Sequence, residues 1–307
     1  MDRFQLMTVF VTVAEEEGFA AGARRLKMSP PAVTRAVATL ENRLGVKLLD
    51  RTTRYVRATD AGLRFFEEAR RILADLETAE ESIAGSNAEP RGLLTVTAPV
   101  LFGRMFVMPG IVEYLGRYPR TEVSAVLLDR SVNLLEEGID VGVRIGELAD
   151  STMRALRVGS VRVVLCASPD YFKRRGTPRS PQDLTEHSTI ASSAGSGAIH
   201  WRFDMGGEMR PVRVRPRLTV TTNDAAVEAA LRGFGITRLL SYQVAPLLAA
   251  RKLKLALETF EPLPWPVHIV HREGRYASAK VRAFVDLMAE RLRADPALKS
   301  RQVSGTE

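Results

Sequence analysis

Ser29, Pro30, Pro31, Thr34, Arg35 and Ala38 have the types and spacing to read a base edge. On a helix that starts at Pro30, the set Pro31, Thr34, Arg35 and Ala38 falls on one side of the first two turns. Arginine can donate two hydrogen bonds to guanine, a threonine hydroxyl suits several bases, and proline or alanine carbons can meet a thymine methyl. Farther on, Arg51, Arg54 and Arg57 recur at every third residue, cations suited to flanking phosphates. Other chemistries are poorly served. Of four histidines (His187, His200, His268, His271), the last two lie three apart in a strand-like stretch, on opposite faces and ill placed to share a metal. Ser192 to Gly197 is small and glycine-containing but lacks the Lys-Ser/Thr of a phosphate loop. Cys166 sits in an apolar run, the setting of a buried thiol rather than a nucleophile. No cofactor or metal is implied, and the chain does not read as an enzyme.

A helix pair must position the reading face. Ser29 stands at an N-cap position and Pro30 at the first helical residue, where no amide hydrogen is needed. Val33, Val37, Leu40 and Leu44 make one apolar stripe behind the reading face. The preceding helix offers Ala20, Ala23 and Leu26, small enough for close crossing. Phe4, Met7, Val11 and Ala14 mark an earlier helix, roughly residues 2–16. After Gly45, Leu48 and Leu49 anchor two short strands around Thr52 to Tyr55, a basic hairpin. Residues 24–57 carry nine basic side chains against Glu41 and Asp50, so the excess within the net +8 is local and favours a nucleic-acid partner.

Thr59 is placed to cap a helix running to about residue 84. Its seam is Leu63, Phe66, Leu73, Leu76 and Ile83, with Ala69 and Ala79 between. Twenty-five residues at 1.5 Å each give about 37 Å, and so narrow a seam suits pairing with a second copy. Residues 85–92 read as a hinge. Beyond it, strand and helix alternate, which predicts parallel sheet covered by helices. Strands are expected at 93–98, 122–128, 141–145, 161–167, 188–191, 201–203, 212–214, 218–221, 236–240 and 267–271. Helices are expected at 102–118, 132–137, from 169, at 224–231 and at 278–292, and residues 296–307 as a frayed tail. The 45% hydrophobic and 26% charged content is that of a globular chain. No run approaches the roughly 20 apolar residues of a membrane span. The single cysteine excludes an intrachain disulfide and fits a reducing cytoplasm.

Over nearly its whole length, and most specifically in residues 19–62, the chain resembles the LysR-type transcriptional regulators. The resemblance rests on an alanine-rich helix, then Ser29, Pro31, Ala32, Val33 and Arg35, then Leu40-Glu41 with Leu44-Gly45, then Arg51, Thr59, Ala61 and Gly62, joined by Ala230 to Ile236. Pro30 stands where the family often has glutamine, Thr34 where serine is usual and Leu49 where phenylalanine is usual. The resemblance implies an N-terminal all-α winged helix-turn-helix (1–59) with a long linker or dimerisation helix (60–84). It also implies a C-terminal α/β two-lobed effector-binding domain (93–295) resembling periplasmic binding proteins. Lobe one would be 93–167 with 268–295, and lobe two 168–267. Effector contacts are expected at Pro99, Val100, Phe102, Gly103, Arg144, Thr222 and Asn223, with a helix start and Arg144 suiting an organic anion. Arg144 could equally be a strand-end surface charge, and Thr222 and Asn223 could simply cap the next helix. Expected partners are double-stranded DNA, a small-molecule effector, a second copy (a homodimer, and by resemblance a homotetramer) and RNA polymerase, with no membrane. The competing expectation is a solute-binding or enzymatic α/β protein whose N-terminal helices only oligomerise.

Overall fold

The computed structural model describes residues 1–51, 56–84, 89–130, 132–148, 153–192, 198–271 and 277–299. The chain divides into two compact units, Met1–Ala88 with Ala277–Ala279, and Glu89–Tyr276 with Lys280–Glu307.

The first unit begins with α1 (Arg3–Glu15), closed at its start by a reciprocal Asp2–Gln5 capping box. Leu6, Met7, Val9, Phe10, Val11 and Val13 are all buried. The apolar face is therefore wider than the expected four residues, and Phe4 lies outside it at 42% exposure. Helix α2 (Phe19–Arg25) packs on α1 through Gly22 and Ala23, while Ala20, expected on that face, is exposed. A Cβ on Gly22 would sit 2.9 Å from Val13 Cγ2, so only glycine permits this approach. Helix α3 (Pro30–Leu44) buries Val33, Ala36, Val37 and Leu40 and ends at Gly45, whose φ of 68° is the left-handed cap glycine supplies cheaply. Leu44, expected to extend the stripe, is exposed, and the buried residue of that last turn is Glu41. Strands β1 (Leu49–Arg51) and β2 (Val56–Ala58) pair antiparallel. Thr59 caps α4 (Asp60–Ala84), its hydroxyl accepting from the Gly62 amide at 2.9 Å.

The second unit holds two five-stranded sheets of matching construction. The first runs β4 (Thr121–Leu127), β3 (Gly92–Ala98), β5 (Val141–Ile145), β14 (Trp265–His271), β6 (Arg154–Val161). The second runs β11 (Leu218–Val220), β8 (Thr189–Ser192), β12 (Ile236–Leu240), β7 (Val163–Ala167), β13 (Lys254–Ala256). In each, the first three strands are parallel, the fourth is antiparallel to both of its neighbours and the fifth runs with the first three again, so the sheets are mixed rather than parallel throughout. The expected strand 161–167 is two strands in different sheets. The chain crosses between lobes at Arg162 and returns before Trp265, so Val163–Ala167 belongs to lobe two and Trp265–Val267 to lobe one.

Both faces of β7 are buried. Leu165 and Ala167 meet a core with Trp201, Phe203 and Ile236, whereas Val164 and Cys166 meet one with Ala226, Ala230 and Leu239. The first core is roofed by the hairpin β9 (Ile199–Asp204) and β10 (Met209–Val214) and by α7 (Pro169–Arg175); the second is covered by α8 (Asn223–Leu231) and α9 (Ser241–Ala249). In lobe one, α5 (Val100–Phe102), a π-turn (Gly103–Val107) and α6 (Met108–Arg117) form a continuous helical run beside α10 (Ala279–Ala294). Tyr114, fully buried on α6, donates to the Lys280 carbonyl at 3.0 Å and sets its ring edge-on to Phe284. Residues expected as a helix at 132–137 make hydrogen-bonded turns closed by Gly138 at φ 63°. The expected frayed tail begins with an ordered turn, Pro296–Leu298, whose Leu298 is buried.

Candidate nucleic-acid interface and effector cleft

Helix α3 is strongly two-sided. Its back is sealed into the core of the first unit with Phe10, Val13 and Leu48. Its front presents Ser29, Pro30, Pro31 and Arg35 exposed, with Thr34 and Ala38 half-buried beside them. All six expected reading residues thus share one accessible face of the first turns. From Pro30 to Val33 the helix start offers no free backbone donor. Pro30 and Pro31 have none, and the amides of Ala32 and Val33 both donate to the Ser29 carbonyl at 2.9 and 3.2 Å. The Ser29 side chain makes no cap bond and stays available.

The wing pairs Leu49 with Ala58 and Arg51 with Val56, which puts Arg57 opposite Asp50. Arg57 is exposed; Arg54 and the hairpin tip lie outside the described residues, as does the side chain of Arg51. Among the described residues, Arg25 and Lys47 are already engaged. Arg25 reaches Glu15 at 2.9 Å and Glu16 at 3.0 Å, and the Glu16 bond holds its guanidinium above its ordinary value. Lys47 Nζ donates to Glu41 at 2.7 Å.

On the linker helix, the expected seam divides. Ala69 is buried, and Phe66 and Leu73 pack on the core of their own domain together with Phe65, which stacks tilted on Phe10 at 5.5 Å. Leu63 at 56% and Ile72 at 37% exposure face outward, and Leu76 is half-buried; the side chain of Ile83 lies outside the described residues.

In the second unit the two lobes meet through aromatic rings. Phe102 and Phe106 of lobe one lie 5.3 and 5.7 Å from Tyr242 of lobe two, both edge-on. Burial pushes the Tyr242 phenol up, with the nearby Asp129 charge adding to it. Phe102 is wholly buried, its ring part of that wall. The helix expected from Phe102 begins two residues earlier. Pro99 holds its cap position and Val100 is its first residue, with the Val100 amide donating to Asp129 Oδ1 at 3.0 Å. Gly103 is inside the helix and donates to the Pro99 carbonyl at 2.7 Å; its missing Cβ makes room for Leu127. Arg144 is half-buried and donates to the Val132 carbonyl at 2.6 Å. Burial lowers its guanidinium from the usual value, against the pull of Glu137. Thr222 is the cap residue and Asn223 the first residue of α8. Asp224 is held below the usual carboxylate range, first by the Thr222 hydroxyl, with Arg104 of lobe one contributing its charge. Asp129, Asp224, Arg104 and Tyr242 thus lie where the lobes approach each other, and sequence periodicity did not indicate them.

Residues 4–63 match the family description "Bacterial regulatory helix-turn-helix protein, lysR family", and residues 87–293 match "LysR substrate binding domain". The chain belongs to the LysR family of transcriptional regulators. It is 31% identical to the HTH-type transcriptional regulator CrgA of Neisseria meningitidis, over 93% of this chain and 96% of that one. It is also 31% identical to the HTH-type transcriptional regulator PgrR of Escherichia coli, over 91% and 95%. The solved structure of CrgA superposes with a TM-score of 0.61 at 30% identity, covering 94% of this chain and 98% of CrgA. Full-length AphB of Vibrio cholerae shares the fold, with a TM-score of 0.59 at 22% identity over 94% and 99%. Within this LysR-type regulator, the N-terminal unit is the helix-turn-helix domain and the two lobes form the substrate-binding domain.

Proposed function

We propose that this regulator reads duplex DNA with Ser29, Pro30, Pro31, Thr34, Arg35 and Ala38 of α3 in the major groove. Arg51, Arg54 and Arg57 of the wing take flanking phosphates. The supporting observation is the sidedness of α3: a face accessible from Ser29 to Ala38, backed by a face closed by Val33, Ala36, Val37 and Leu40. In a helix-turn-helix, the N-terminal residues of the second helix are those that contact base edges. Pro30 offers no side-chain hydrogen bond, so discrimination falls to Thr34 and Arg35, with methyl contacts from Pro31 and Ala38.

Two copies joined through α4 would present one recognition helix to each half-site, with the outward Leu63, Ile72 and Leu76 as contact points. The small-molecule effector lies between the lobes, bordered by Pro99, Val100, Arg144, Thr222 and Asn223. An organic anion there meets Arg104, which is exposed, whereas the Val100 amide is already taken by Asp129. The effector changes DNA binding by binding one arrangement of the oligomer better than another. The chain works in the cytoplasm and catalyses no reaction; no described helix is long and apolar enough to cross a membrane. RNA polymerase is a further proposed partner.

A gel-shift titration with duplex DNA from upstream of the regulator's own gene, repeated over a salt series, tests this reading. The full chain is expected to bind with a steep salt dependence, and Arg35→Ala to lose preference for this duplex over a scrambled one. Equal binding by a chain lacking residues 1–60 refutes it.

A further inference from the structure

Leu40-Glu41 and Thr59-Ala61-Gly62 are among the residues that carry the family resemblance, and none touches DNA in the proposed reading. The structure joins them. Glu41 has a side chain only 2% exposed, although it lies on a helix that otherwise offers its polar residues to solvent. Its Oε1 accepts from the amides of Leu48 and Leu49 at 3.0 and 3.1 Å, and its Oε2 from Lys47 Nζ at 2.7 Å. A carboxylate taken out of water is tolerated only when its lone pairs are met in this way. Lys47 and Leu48 are held from the other side by the start of α4. Thr59 Oγ1 donates to the Lys47 carbonyl at 2.8 Å, and the Thr59 amide donates to the Leu48 carbonyl at 2.9 Å. A Cβ on Gly62 would lie 1.9 Å from the Leu48 oxygen, so the first turn of α4 rests directly on that backbone.

Lys47–Leu49 is therefore a node. The recognition helix takes the Leu48 and Leu49 amides, Thr59 at the start of the linker helix takes the Lys47 and Leu48 carbonyls, and Leu49 opens the wing strand that pairs with Ala58. We propose that Glu41 is a positioning residue for DNA recognition. It locks the root of the wing to the recognition helix and, through Lys47–Leu49, to the linker helix, so that all three move as one body. The distance between the base contact at Arg35 and the phosphate contact at Arg57 is thereby fixed, and any rotation of the linker helix is passed whole to the DNA-reading surface. This inference rests on the proposed DNA-reading assignment.

The test compares the full-length chain with Glu41→Gln and Thr59→Val on the same upstream duplex and its scrambled counterpart. Circular dichroism at the assay temperature confirms that each is folded. With Glu41→Gln the wing loses its fixed place. The slope of log affinity against log salt should become shallower by roughly 0.9 for each phosphate the wing no longer holds, while preference for the upstream duplex changes less than about threefold, because Thr34 and Arg35 are untouched. Amide exchange at Leu48 and Leu49 should quicken at least about tenfold, with α1 amides unchanged. Thr59→Val should shift slope and exchange in the same direction, and it carries the test alone if Glu41→Gln does not fold. An unchanged salt slope in the folded variants overturns the proposal, even if melting temperature falls. Failure of the unaltered chain to prefer the upstream duplex instead overturns the DNA-reading assignment.

Discussion

Replacing Arg162 by methionine removes the guanidinium that ties together the two passages of the chain between lobes. Arg162 is the first crossing itself. Its Nε and Nη2 meet the Glu261 carboxylate at 2.7 and 2.8 Å, on the return segment, with Glu258 at 3.4 Å from Nη2. The Arg162 side chain is 30% exposed and that of Glu261 11%, so the pair lies between two regimes. Exposed pairs contribute about 0–1 kcal/mol, whereas removing one partner of a buried pair costs about 3–5 kcal/mol. The two-pronged geometry and partial burial put Arg162→Met near about 2 kcal/mol. With a urea dependence of about 2–3 kcal/mol per molar, the midpoint for the second unit should fall by about 0.7–1 M. A double-mutant cycle with Glu261→Leu should return a coupling of at least about 1 kcal/mol. A midpoint unmoved within about 0.1 M, or simply additive variants, would refute the view that this pair fastens the crossings.

Three further outcomes are expected. The Glu41 carboxyl is held below its usual value of 4.5, by the Lys47 bond and the Leu49 and Leu48 amides against the effect of burial. Its contribution is therefore fully present above about pH 4.5 and lost as pH falls through the lower folded value; an acid titration of the N-terminal unit should be flatter in Glu41→Gln than in the unaltered chain. Burial pushes the Cys166 thiol up to about 12, so a thiol-reactive dye at about pH 8 should label the chain in urea and not in buffer; labelling at native rates would contradict the packing of β7. Ile72→Glu, at an outward position of α4, should lower the mass seen by light scattering without shifting the melting temperature of the helix-turn-helix domain. An unchanged mass would remove α4 as the pairing helix.

The helix-turn-helix was legible because its information is local. Val33, Val37 and Leu40 recur at helical spacing, and Gly45 and Thr59 mark boundaries that depend only on their neighbours. The burial of Glu41 was not legible because what buries it is a contact with residues six to eight positions ahead. Strand β6 escaped notice because Arg154, Arg157 and Gly159 interrupt its apolar pattern, while β14 completes its ladder from more than a hundred residues away. The β-branched residues on either side of Arg162 read as one strand from Val161 to Ala167, which concealed a change of sheet at that residue. Helix α9 carries Pro246 in its last turns, a residue that normally argues against a helix. Where the lobes meet, Asp129 comes from a loop of lobe one and Tyr242 from α9 of lobe two, and only the folded chain sets them beside Val100 and Phe102.

The closed start of α3 has a kinetic consequence. With no amide of Pro30 to Val33 free to grip a phosphate, the hold of this helix start on the sugar-phosphate track falls to side chains. Long, mobile cations release one phosphate and take the next without breaking a directional bond. On unrelated sequence, such a reader is expected to slide and to pause only where Thr34 and Arg35 find their bases. Restoring one amide with Pro31→Ala should shorten the sliding distance of single labelled molecules on stretched DNA. The two prolines would thus govern how quickly wrong sites are abandoned more than how tightly the right one is kept.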